Sequence, residues 1–346
     1  MSIRRSAAAA TLALALACSP AAFAQSSVNL YGVLDVFAGR ITNSLPDSST
    51  TVVGGGGLQT SFFGVRGSED LGGGLRAVFA IESFMQVDTG ASARFPNDLF
   101  WSRSAWVGLA GSSWGQLTLG RNTTPYFLAT ILFNPLVDSF VVGPMITHTF
   151  RGNLQGDTGM GNSLRWTSPN WGGFRADLLY SMGEERTGPP DKDFGKAIDG
   201  ALGWSGGPAA VVLAFRNIDL SANGNGREQT AWQLGATWQL AFAKLFAQYQ
   251  RVSEEFAARA ANVDRDTVQL GVSAPIGPGT LLASYATMDI DDALPATPAK
   301  RDTWALAYTW SLSKRSELYG AYYQDALKEP AANKQTVLAL GIRHRF

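Results

Sequence analysis

Residues 335–346 read QTVLALGIRHRF. Side chains on a strand alternate between its two faces. Thr336, Leu338, Leu340, Ile342, His344 and Phe346 share one face, mainly apolar and ending on an aromatic. Gln335, Val337, Ala339, Gly341, Arg343 and Arg345 share the other, which is small or charged. A soluble protein seldom leaves such an edge exposed, because it templates aggregation. A closed barrel in a membrane removes the difficulty: the last strand pairs with the first, and the apolar face meets lipid. Taken alone, the stretch also suits an ordinary half-buried terminal strand, so the rest of the chain decides.

The N-terminus has the layout of a secretory signal. Arg4 and Arg5 supply positive charge, 7–17 is an apolar run too short to span a bilayer, and Ala22-Phe23-Ala24 is a small-x-small cleavage site. Residues 1–24 are therefore expected to be removed, leaving 25–346 as one domain. A rival, lipoprotein acylation at Cys18, is disfavoured because Ala15 stands where leucine is usual and a better cleavage site follows. Cys18 is the one cysteine, so the mature chain has none in a compartment that permits disulfides. The signal removes two arginines and no acids, so 28 basic residues fall to 26 against 28 acids, a formal charge of −2. That balance argues against nucleic acid as a partner.

Hydrophobic residues make up 45% of the chain, yet mean hydropathy is −0.01. Beyond the signal no apolar run reaches the length of a spanning helix. A barrel spends apolar residues on one face only, so it needs no more hydropathy than a soluble protein. Composition alone also fits a secreted β-sandwich or propeller.

Alternation recurs along the chain. In the first strand, 27–38, Val28, Leu30, Leu34 and Val36 oppose Asn29, Tyr31 and Asp35. Residues 40–58 read as an exposed loop and 59–66 as the second strand. GSEDLGGG at 67–74 reads as a tight turn; without a Lys-Ser/Thr ending or a following helical pattern it is no phosphate loop. Leu75, Ala77, Phe79 and Ile81 oppose Arg76, Val78, Ala80 and Glu82; Phe174, Ala176, Leu178, Tyr180 and Met182 oppose Arg175, Asp177 and Ser181. About 16 strands follow from this count. Short connections alternate with long polar ones at 40–58, 86–97, 183–193 and 292–299, as in a barrel whose two ends face different compartments. One connection, 123–160, is both long and apolar, with YFLATILF at 126–133. Long loops in compact folds are usually functional. An apolar one is expected to fold onto the inner wall.

Seven motifs carry a resemblance: NLYGVLD at 29–35, GVRGSEDLGGGLRA at 64–77, RSAWVGL at 103–109, GQLTLGR at 115–121, NSLRWTSPNWGGF at 162–174, LSKRSELYG at 312–320 and the closing GIRHRF. In this order they make the chain resemble a Gram-negative general porin of the Neisseria/Burkholderia/Bordetella type. The resemblance implies an all-β fold: a 16-stranded transmembrane antiparallel β-barrel with its third loop folded into the lumen. It further implies a homotrimer in the outer membrane, surrounded by lipid and lipopolysaccharide. Insertion would be by the barrel-assembly machinery, with Phe346 as part of its recognition signal. Small hydrophilic solutes and ions are the implied cargo, with no cofactor and no metal.

Two departures stand out. The family commonly has arginine in an S-R-W-G stretch of the second strand; here Phe62 holds that place. It often has another before the N-S of the sixth; here Gly159-Met160-Gly161 precedes Asn162. The basic residues expected in the lumen are then Arg66, Arg76, Arg103, Arg165 and Arg175, with Arg121 at a strand exit. The acids are Asp35 and Glu82 on the wall and Asp138 and Asp157 in the loop. Phe62 is expected to pin the loop through Phe127, Ile131, Leu132 and Phe133, unless a one-residue slip exchanges it with Phe63. Any one lumen arginine can be a plain solvated wall residue; as a group in a narrow channel they favour anions.

The function expected is passive diffusion with a weak to moderate anion preference. The two histidines, His148 and His344, lie far apart, and neither a metal-ligand spacing nor a nucleophile motif is present. Two rivals remain. A solute-specific channel of the same fold would show saturable uptake, and a non-transporting surface barrel or adhesin would show no conductance.

Overall fold

The structure, a computed structural model, describes residues 26–95, 98–183, 194–221, 227–256, 262–291, 300–328 and 333–346. The expected signal at 1–24 lies outside the described residues. So do nearly all of the expected long connections at 183–193 and 292–299.

Seventeen strand segments form one antiparallel sheet. They are β1 (Ser27–Ser44), β2 (Asp47–Gly55), β3 (Phe62–Gly72), β4 (Leu75–Phe84), β5 (Ser104–Gly111) and β6 (Gly115–Thr123). Next come β7 (Gly159–Thr167), β8 (Phe174–Met182), β9 (Lys196–Gly206), β10 (Ala209–Asp219), β11 (Arg227–Gln239) and β12 (Lys244–Phe256). The last are β13 (Val263–Ile276), β14 (Gly279–Asp291), β15 (Lys300–Ser311), β16 (Ser316–Leu327) and β17 (Asn333–Arg345). Segments β2 and β3 lie end to end along one edge of β1: Val36 pairs with Gly55, and Val33 with Phe62. They make a single wall strand interrupted at 56–61, so the barrel has 16 strands.

The sheet closes where β17 pairs with β1, from Val33 opposite Arg345 to Asn43 opposite Gln335. Phe346 N donates to Gly32 O, and Gly32 N to Phe346 O, both at 3.2 Å. Gly32 is needed there, because a Cβ would come 2.5 Å from Phe62 O and 2.6 Å from the Phe346 ring. The alternation of the closing stretch is realised: Leu338 and Leu340 are 57% and 69% exposed, while Val337 and Ala339 between them are buried. Such an outward apolar band matches a barrel set in lipid.

Residues 40–58 are not the loop expected. β1 continues to Ser44 and turns directly into β2, because Ile41, Thr42, Thr50, Thr51, Val52 and Val53 are β-branched residues that favour a strand. The second strand resumes at Phe62 rather than at 59, since 56–61 loop out of the sheet. Alternation through 99–109 predicts a strand there, but the strand starts only at Ser104.

The third loop does enter the barrel. It carries α1 (Pro125–Leu132) and α2 (Pro144–Phe150). α1 starts where the Thr124 side chain accepts from Phe127 N, with Pro125 in the first turn. Tyr126, Ala129 and Phe133 pack on Val212, Ala214, Ala231 and Val252. Farther along, Leu136 and Val142 pack with Phe37, Tyr319, Tyr323 and Val337. The wall makes room with glycine: a Cβ at Gly235 would lie 2.9 Å from Phe133, and one at Gly271 2.7 Å from Pro135. The loop thus packs against the side of the lumen lined by β9–β17 and leaves the side lined by β3–β7 open.

Candidate channel constriction

The open side is a cavity of about 580 Å³ between the loop and the strands from β1 to β7. Inner-face positions of β3, β4 and β7 place Arg66, Arg76, Glu82 and Arg165 on it; Arg103 reaches it from just before β5. The loop contributes Phe127, Leu128, Ile131 and Asp138.

The charges there are unevenly satisfied. Arg103 Nη1 lies 2.5 Å from Glu82 Oε2. The Tyr31 hydroxyl donates to the same carboxylate. Arg165 Nε donates to Asp177 Oδ1 at 2.8 Å. Arg66 stacks over the Tyr31 ring at 4.6 Å. Among the described residues neither Arg66 nor Arg76 has a carboxylate partner. Asp138, 4% exposed, leaves Oδ1 without a hydrogen bond. Burial pushes its carboxyl up to about 6, against the opposing pull of Arg103. The unbalanced charge on this wall is therefore positive.

Several expected site residues serve other ends. Asp35 points inward but is fully buried. Its Oδ2 accepts from Leu58 N at 3.1 Å and Gln59 N at 2.9 Å, and its Oδ1 accepts from the Tyr319 hydroxyl at 2.6 Å. It holds the interruption between β2 and β3 and presents no charge to the channel. Asp157 accepts from Arg94 Nη1 at 2.9 Å and lies 2.9 Å from Arg121 Nη2. Burial raises this carboxyl, but the Arg94 hydrogen bonds and charge, with Arg121, outweigh it and hold it below the ordinary range. Arg121 also donates to Ser102 O at 2.6 Å, so this pair braces the loop base rather than lining the cavity. Arg175 faces inward in a second cavity, beside α1.

Phe62 faces the lumen, and no register slip occurs; Phe63 packs instead beside Phe100 and Trp101. Its expected partners are wrong, however. Phe62 clusters with Tyr31, Val33 and Phe84, and the Arg103 guanidinium lies 3.7 Å from its ring centroid. Phe133 belongs to the opposite wall, and Phe127 stacks edge-on with Phe150 at 5.1 Å. The loop is anchored elsewhere because its helix turns its aromatic face to β10 and β11.

That anchorage was missed in the sequence. Asp199 and Arg216 are fully buried and paired, Nε to Oδ2 at 2.6 Å. Asp199 Oδ1 accepts from Tyr126 N at 2.7 Å. Arg216 donates to Thr124 Oγ1 at 2.6 Å and to Gln155 O and Asp157 O at 3.1 Å. Glutamines complete it: Gln233 accepts from Thr130 at 2.8 Å, and Gln248 donates to Phe133 O at 2.8 Å. Gln229 accepts from Gln155 N at 2.8 Å. His148 Nε2 lies 2.7 Å from Thr303 Oγ1, and burial lowers its pKa to about 3, so it anchors the loop as a neutral ring. The available signal was inward parity: Gln229 and Gln233 on β11 and Gln248 on β12 are large amides on buried, inward positions.

Residues 8–329 match the family described as Gram-negative porin. Outer membrane porin protein 32 of Delftia acidovorans is 30% identical, over 96% of this chain and 97% of that one. An outer membrane porin protein of Bordetella pertussis is 29% identical over 94% and 96%. The solved structure of an anion-selective porin from Comamonas acidovorans superposes with a TM-score of 0.82 at 26% identity, covering 93% of this chain and all of that one.

Proposed function

The chain belongs to the Gram-negative porin family, and from that premise we infer that it is a passive diffusion channel of the outer membrane that favours small anions. One observation carries the preference. On the open side of the lumen Arg66 and Arg76 have no carboxylate partner among the described residues, whereas Glu82 and Asp177 are bonded to arginines and Asp138 is buried. Charge fixed along a narrow aqueous path raises the local concentration of the opposite ion. The similar porin of Comamonas acidovorans is described as anion-selective, which agrees with this reading. No chemical step is involved in it. The working unit is taken to be a homotrimer in lipid and lipopolysaccharide, delivered by the barrel-assembly machinery after removal of residues 1–24.

The test is the zero-current potential of reconstituted channels across a salt gradient. Anion preference is expected. A clear cation preference would overturn the assignment of the field to Arg66 and Arg76. Absence of conductance from folded protein would favour a surface barrel without transport.

A further inference from the structure

Helix α1 buries Tyr126, Phe127, Ala129 and Thr130 and turns its other side to the lumen. That side carries Leu128, Ile131 and Leu132, and Leu132 is 63% exposed. Aliphatic groups held over water keep an unfavourable hydration that a passing apolar solute relieves.

The wall facing them is basic. Arg175 follows the short turn before β8, and Lys244 opens β12 after another short turn. Together with Leu128, Leu132 and Phe133 they line a cavity of about 470 Å³. Small-molecule sites run from roughly 300 to 1,000 Å³. The acid in this cavity, Asp177, is bonded to Arg165. Among the described residues neither Arg175 nor Lys244 has a carboxylate partner, and the Lys244 ammonium lies 5.0 Å from the Phe246 ring. Leu128 and Arg165 also line the larger cavity, so the two are adjacent along the channel.

We propose that the lumen side of α1 and the basic wall facing it form a subsite for organic carboxylates with an aromatic or branched aliphatic body. The carboxylate lies against Arg175 and Lys244, and the body lies against Leu128 and Leu132. Chloride satisfies only the first contact, and a short carboxylate such as acetate satisfies little of the second. The proposal rests on the channel reading above and adds a solute class to it.

The test uses the full-length protein in planar bilayers carrying chloride current, with benzoate or acetate added at equal concentration. Benzoate is expected to reduce the current saturably and to add flicker, at concentrations roughly tenfold below those at which acetate does so. Leu132→Gln and Arg175→Gln should each weaken the benzoate block, measured against each variant's own chloride current. Leu128→Gln serves where Leu132→Gln fails to insert. Equal block by benzoate and acetate, or an unchanged benzoate block in the leucine variants, overturns the subsite and leaves the channel standing. Protein that conducts no chloride at all overturns the channel reading and the subsite with it.

Discussion

Arg216 and Asp199 face each other across neighbouring strands, Nε to Oδ2 at 2.6 Å, with neither side chain exposed. Through this pair one spot on the wall holds both ends of the third loop. Asp199 takes the amide of Tyr126 just after the loop begins, and Arg216 takes the carbonyls of Gln155 and Asp157 just before it ends. Removing one partner of a buried pair strands the other charge, at a cost of about 3–5 kcal/mol. Arg216→Met is expected to lower thermal stability by about that amount and to give noisy channels with a larger mean conductance. Quiet, wild-type single-channel traces would show that the loop is held without the clasp.

Selectivity should fall when Arg66 or Arg76 is neutralised. One charge acting over about 8 Å in bulk-like water is worth about 0.5 kcal/mol, a factor of about 2 in local ion concentration. Arg66→Gln and Arg76→Gln are each expected to reduce the anion-to-cation permeability ratio by about that factor at moderate salt, and less at high salt. Reversal potentials check this. A ratio unmoved in the double variant would place the selecting charges elsewhere.

Asp138 is expected to make the selectivity depend on pH. Burial raises its carboxyl to about 6, so it is mostly ionised at pH 7 and mostly protonated at pH 5. Lowering the pH removes a negative charge that Arg103, Arg343 and Asp35 also feel, so anion preference is expected to rise between pH 7 and pH 5. His148 stays neutral throughout that window, its pKa being lowered to about 3 by burial. Asp138→Asn should show the low-pH preference already at pH 7 and flatten the dependence. An equally steep dependence in that variant would rule the residue out.

Phe62 supports a cation rather than the loop. Its ring lies under Arg103, which bridges to Glu82. Truncating a buried phenylalanine costs about 3–5 kcal/mol, so Phe62→Ala should destabilise the barrel and widen the open level as Arg103 loses its platform. Current noise should not increase, because the loop packs on the other wall. Added flicker would mean that Phe62 restrains the loop after all.

Deleting Phe346 removes two backbone hydrogen bonds at the barrel seam and the ring that fills the space beside Gly32. Reduced recovery of folded, heat-resistant barrel is expected on gel-shift assay. Normal recovery would show that β17 closes the seam without its last residue.

The wall was legible because a strand pairs sequence position with face so rigidly. Leu338 and Leu340 point outward, Arg66 and Arg76 inward, and Phe62 is not exchanged with Phe63. The third loop was legible as a loop that folds inward, since YFLATILF could not be left in water. Its partners were not, because alternation says which face a residue occupies and nothing about which residues meet across a lumen. Hence Phe133 was expected beside Phe62 and lies instead on Gly235. Asp35 shows the same limit: its inward parity was read correctly, but three donors consume its carboxylate. Arg216 and Asp199 were overlooked because a buried ion pair has no local sequence signature when its halves sit on different strands.

The lopsided seating of the loop separates ledger charge from working charge. Twenty-eight basic and 28 acidic residues cancel over the whole chain. A permeating ion never samples that total. It travels along one arc of the circumference, where Glu82 and Asp177 are already bonded to arginines, while much of the opposite arc is covered by the packed loop. Isoelectric point is therefore a poor guide to permeation here.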